Sequence, residues 1–77
     1  MKILGIAKTE QEIHLVEAQL QQTGLYSRYE GHVSGEEGIL VIVCVHNTEE
    51  KEQVKDMLEN AGVTDITYKE DQRAAHY

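Results

Sequence analysis

At 77 residues and a formal charge of −7, the chain is long enough for one small domain, near the lower limit at which a hydrophobic core alone suffices. Its seven Lys and Arg residues are scattered, which argues against the gathered basic face that nucleic-acid phosphates require. No stretch approaches the roughly 20 apolar residues of a membrane span, and the lone Cys44 rules out a disulfide framework and fits a reducing compartment.

The first apolar segment, 2–7, reads as a strand. Its "ILGIA" is shorter than a signal-peptide core and an acidic helix follows, so a soluble, cytoplasmic protein is expected. Thr9 with Glu12 three positions on is a capping-box pattern, in which side chains satisfy the orphan amides of a first helical turn. Ile13, Val16 and Leu20 then recur at helical spacing and predict a helix over 10–23. Gly24 ends it, because glycine tolerates the left-handed conformation a helix C-terminus needs. A strand is expected over 26–33, and "SGEEG" at 34–38 supplies a hairpin loop. A second round follows: a strand over 39–46, a cap at Asn47 with Glu50, a helix over 48–61 carrying Val54, Leu58 and Ala61, then Gly62 and a strand over 65–69. Residues 1–70 form the single domain, and "DQRAAHY" at 71–77 reads as a flexible tail.

The two rounds superpose at an offset of 38 positions: Leu4 on Ile42, Thr9 on Asn47, Glu12 on Glu50, Leu20 on Leu58, Gly24 on Gly62. Two strand–helix–strand units joined by a hairpin predict a ferredoxin-like α+β fold, βαββαβ, with a four-stranded antiparallel sheet in order 4-1-3-2 and both helices on one face.

The segment "GILVIVCVH", 38–46, poses the main question, because it is apolar on both faces of its strand. A sheet with one face in water should alternate apolar and polar residues. Pairing Val33 with Gly38 across a four-residue loop sorts the sheet into two faces. One holds Leu4, Ile6, Tyr29, Val33, Leu40, Ile42 and Cys44, all bulky or apolar, and is expected to meet the helices. The other holds Ile3, Gly5, Ala7, Ile39, Val41, Val43 and Val45, with Tyr26, Arg28, Glu30 and His32 along its edge. That second face is expected to be open. Large aliphatic side chains left in water forgo roughly 1.5–3 kcal/mol each, so Ile3, Ile39, Val41, Val43 and Val45 are expected to self-associate, giving a homodimer or higher oligomer.

Candidates for chemistry are few. His14, His32, His46 and His76 lack zinc-site spacing and there is no CxxC, so no metal and no cofactor is expected. Cys44, placed among the helix-facing residues, behaves as a small apolar side chain. The constellation of interest is Tyr26, Arg28, Glu30 and His32, alternating down strand 2: a cation, a carboxylate and an imidazole beside an apolar floor. It allows an alternative reading as a small dimeric enzyme or regulatory domain that binds a small-molecule ligand there. An RNA-recognition module is excluded, because the central strands carry no aromatic residue.

The pattern "GIAKTEQEIHLVEAQLQQTGL" followed by "GILVIVCVHNTEEKEQVKDMLENAGVTDITYKE" resembles the bacterial general-stress and low-temperature-induced small proteins. A second, weaker resemblance is to amino-acid-sensing regulatory domains, which share the fold and bind ligands at an oligomer interface. The stress-protein resemblance departs in one respect: relatives carry a long glycine- and alanine-rich insertion between the halves, where this chain has a short hairpin. It implies a ferredoxin-like domain without catalytic residues. The expectation is therefore a non-enzymatic, self-associating module in a stress or regulatory setting.

Overall fold

A computed structural model describes residues 1–70; the expected tail at 71–77, with His76, lies outside the described residues. The elements run β1 (Lys2–Ala7), α1 (Glu10–Thr23), a 3₁₀ turn (Tyr26–Arg28), β2 (Tyr29–Ser34), β3 (Ile39–Cys44), α2 (Thr48–Asn60) and β4 (Thr64–Lys69). The strands form one antiparallel sheet in the order β2-β3-β1-β4, which is the ferredoxin-like α+β arrangement.

The two halves repeat each other down to individual hydrogen bonds. The Glu12 amide donates to Thr9 Oγ1 at 3.3 Å while the Glu12 carboxylate accepts from the Lys8 amide at 2.8 Å. Thirty-eight positions on, the Glu50 amide donates to Asn47 Oδ1 at 2.8 Å and the Glu50 carboxylate accepts from the His46 amide at 2.9 Å. The far ends match as well: Leu25 N–H reaches the Leu20 carbonyl at 2.8 Å, and Val63 N–H reaches that of Leu58 at 2.9 Å. These are the six-to-one bonds of a glycine-terminated helix.

The core lies between the helices and one sheet face. Ile13, Val16 and Leu20 of α1 and Val54, Met57 and Leu58 of α2 close over Ile3, Ala7, Val41, Val43 and Val45. The expected facing is thereby reversed. Ile3, Val41, Val43 and Val45 are at most 1% exposed, and Ile39 packs against the same cluster. The four buried residues offer no surface to a second molecule, and Ile39 is only partly exposed.

Two features depart from the expected arrangement. Gly5 lacks a side chain because Val63, in the link between α2 and β4, packs directly over it, not because the face is open. A Cβ built on Gly5 would stand 2.5 Å from Val63 Cγ1, with Ile66 also in reach. Strand 2 also starts late, at Tyr29, and its register against β3 shifts between Tyr29 and Gly31. A bulge of this kind leaves one residue unpaired and moves its neighbours to the opposite face. Tyr29 therefore lies opposite Val43, not Ile42, and contributes to the core from the strand's end.

Candidate functional site

With the odd-numbered residues of β3 buried, its even-numbered ones define the other face. Leu40 pairs with Ile6 on one side and Val33 on the other, and Ile42 pairs with Leu4 and Gly31. Directly opposed residues share a face, so Leu4, Ile6, Val33, Leu40, Ile42 and Cys44 form one apolar surface. Val33 is 58% exposed and the other five are partly exposed. Both helices pack on the opposite side, and among the described residues no element covers this face. Cys44 is a free thiol on this surface, not on the helix side where the sequence placed it.

The surface has two different ends. At one, Lys2 lies beside Cys44 and Lys69 in register, and Lys2 Nζ contacts the Glu30 carboxylate at 3.2 Å. At the other, the hairpin brings Glu36 and Glu37 to an open groove of about 400 Å³ floored by Ile6, Val33 and Leu40. The flank along β4 is polar, with Thr64 and Thr67 in register with Ile6 and Leu4. The helix layer differs sharply in charge. α2 exposes Glu49, Glu52, Asp56 and Glu59, and α1 adds Glu10, Glu12 and Glu17.

The four residues read as a ligand constellation do not converge. Tyr26 and Arg28 belong to the 3₁₀ turn, not to β2. Tyr26 is exposed and its ring lies 5.8 Å from that of Tyr29. Glu30, at the bulge, is held by Lys2 on the open face. His32 lies opposite Val41, at the edge of the helix side, with Nδ1 2.8 Å from the Tyr29 hydroxyl. Burial and the nearby Glu17 carboxylate push the Tyr29 phenol above its ordinary pKa. Among the described residues, no three His, Cys, Asp or Glu side chains are grouped to hold a metal ion.

Arg28 serves a structural end that its spacing in the sequence does not reveal. Its Nε and Nη2 donate to both Glu50 carboxylate oxygens, at 3.1 and 3.0 Å. This fork ties the 3₁₀ turn to the first turn of α2, across 22 positions in sequence. The planar geometry suits the bidentate pairing in which Arg excels. The Arg28 hydrogen bond, with help from the His46 amide, lowers the Glu50 carboxyl to about 2 from an ordinary 4.5, and Glu50 raises Arg28 in return. A depressed carboxyl contributes stability that is complete above its ordinary pKa and lost as pH falls through the folded value. Melting temperatures of the wild type and of Glu50→Gln should therefore differ most above about pH 4.5 and converge as pH approaches about 2. A gap that stays constant through acidification would show that the pair does not contribute.

No helix among the described residues is long and apolar enough to cross a membrane. Compared with family models, with curated proteins and with solved structures, the chain gives no match.

Proposed function

We propose that this chain is a non-enzymatic module of the cytoplasm that assembles into a homodimer through its open sheet face. The supporting observation is the patch of Leu4, Ile6, Val33, Leu40, Ile42 and Cys44, which is contiguous, apolar and uncovered by any described element. Patches of this kind on small proteins usually mark association surfaces. Charge supports a second copy meeting this face and no other. Copies of an acidic chain that met through their helices would oppose Glu49, Glu52 and Asp56 to like charges, whereas the open face carries charges of both signs, Lys2 and Lys69 with Glu30, Glu36 and Glu37. The free cysteine supports the reducing compartment. The stress or regulatory setting rests on the sequence resemblance alone.

Four strands about 4.8 Å apart and six residues long at about 3.3 Å per residue present a face of about 20 by 20 Å. That is about 400 Å² per copy, the scale of weak, transient interfaces, so the dimer should dissociate on dilution. Sedimentation equilibrium should give twice the chain mass of 8.7 kDa at high concentration for the wild type and the single-chain mass for Ile42→Glu. A wild type that stays at single-chain mass at every concentration would end this reading.

A further inference from the structure

Resting on the self-association reading, we propose that the two copies stack about a two-fold axis running along the strands, between β3 and β1. Glu30 of each copy then meets Lys69 of the other. The strand register divides the open face into three rows that cross the sheet. The first is Cys44, Lys2 and Lys69, with Glu30 at its β2 end. The second is Gly31, Ile42, Leu4 and Thr67, and the third is Val33, Leu40, Ile6 and Thr64. Within these rows, charge is confined to the first and the aliphatic side chains to the other two. Stacked sheets keep their strands aligned to within about 30°, which leaves a two-fold axis two directions in the plane of contact, across the strands or along them.

An axis across the strands exchanges the ends of the patch and lays the charged row on the third. Lys2 then comes over Ile6 of the second copy and Glu30 over Val33, groups that offer no hydrogen bond in place of the water removed. Burial of that kind costs free energy that nothing in the contact returns, and only the second row meets its like. An axis along the strands keeps every row on itself and turns it left to right. Both aliphatic rows then meet their own kind, Leu4 over Ile42 and Ile6 over Leu40 of the second copy. In the charged row the strand order β2-β3-β1-β4 decides the outcome, because the β2 edge, with Glu30, comes over the β4 edge, with Lys69. Glu30 is thereby held between its own Lys2, at 3.2 Å, and Lys69 of the second copy. Within one copy Glu30 and Lys69 stand on opposite edges of the sheet, about 14 Å apart over three strand spacings. That exceeds the Debye length of about 8 Å at physiological salt, so any coupling between them arises across the interface. The acidic hairpins, which join β2 to β3, fall on opposite flanks of the contact and do not meet. The contact is isologous and closes on itself, so assembly stops at a dimer.

Charge reversal at the two edges tests the axis, and Ile42→Glu tests the reading beneath it. Glu30 and Lys69 are both exposed, so reversing either leaves the core intact, which far-UV circular dichroism checks. Glu30→Lys should dissociate about tenfold more readily than the wild type, because a lysine then faces Lys69 at both symmetry-related contacts. Lys69→Glu should do the same by setting a carboxylate against Glu30. An equimolar mixture of the two variants should form a dimer holding one of each, about tenfold tighter than either variant alone. Affinities are read by sedimentation, and labelling one variant with nitrogen-15 lets native mass spectrometry identify the mixed dimer. Reversed variants that dimerise like the wild type, or a mixture no tighter than its components, with Ile42→Glu monomeric, would overturn this axis and leave the open-face dimer standing. A wild type that is monomeric at every concentration would overturn both.

Discussion

Val43→Glu is expected to abolish folding at neutral pH, while Ile42→Glu, one residue away on the same strand, leaves the fold intact. Val43 is fully buried beneath the helices, with Ile3 and Tyr29 opposite it on the neighbouring strands. No cation lies among the buried residues of that core to receive a carboxylate. An unpaired charge at such a site costs several kcal/mol even after relaxation, and it also removes the burial of the valine itself, roughly 1.5–3 kcal/mol. A chain of this length has about 4–12 kcal/mol to lose, so the cooperative melt should disappear. Ile42 points to the open face and is only partly buried. A glutamate there remains in water, and its effect should appear in the solution mass instead. Thermal melts and the dispersion of amide resonances separate the two outcomes. A folded Val43→Glu protein would mean that β3 presents its other side to the helices.

Gly38→Ala is expected to cost about 2–4 kcal/mol, the second large effect. Gly38 closes the β2–β3 hairpin, its carbonyl accepting the Gly35 amide at 2.8 Å. Its φ of +143° belongs to a region that side-chain-bearing residues rarely enter. An added Cβ would also stand 2.7 Å from the Ala7 carbonyl oxygen and 2.7 Å from Ile6 Cγ2. The side chain of Ile6 can give way, but the Ala7 oxygen belongs to the backbone of the central strand and cannot move without disturbing the sheet. At about 4–8 °C per kcal/mol for a domain this small, the melting temperature should fall by roughly 8–32 °C. Gly35→Ala is the control. Its added Cβ meets nothing closer than 3.6 Å and its φ is not positive, so it should melt close to the wild type. Equal losses at both glycines would mean that hairpin flexibility, and not the approach of Ala7, sets the cost.

Strand 2 shows how far local signals reach. Tyr26, Arg28, Glu30 and His32 alternate as a strand would, and on that pattern alone they line one face. The chain instead makes a 3₁₀ turn over Tyr26–Arg28 and a bulge after Tyr29, so these side chains point to different environments. The turn is held by Arg28 reaching Glu50, a partner on another element that no local window contains. The residues of the open face were equally visible in the sequence, as the even-numbered half of "GILVIVCVH" with Leu4 and Ile6, but they read there as core. Gly5 was the signal pointing the other way, since a glycine inside a central strand marks a place where another part of the chain comes close.

The order of elements, both helix caps, the glycines that end the helices, the internal repeat and the ferredoxin-like topology all follow from local chemistry, and the sequence by itself determined them. Capping, helical period and turn residues act within a few positions of one another, so they can be read without knowing what packs where. Which side of the sheet lies under the helices was decided only by tertiary structure. Strand alternation labels two faces without ranking them, and in β3 both are apolar. The choice fell to the close approach of Val63 at Gly5 and to the volume that α1 and α2 enclose over Ile3, Val41 and Val43, contacts between residues far apart in the chain.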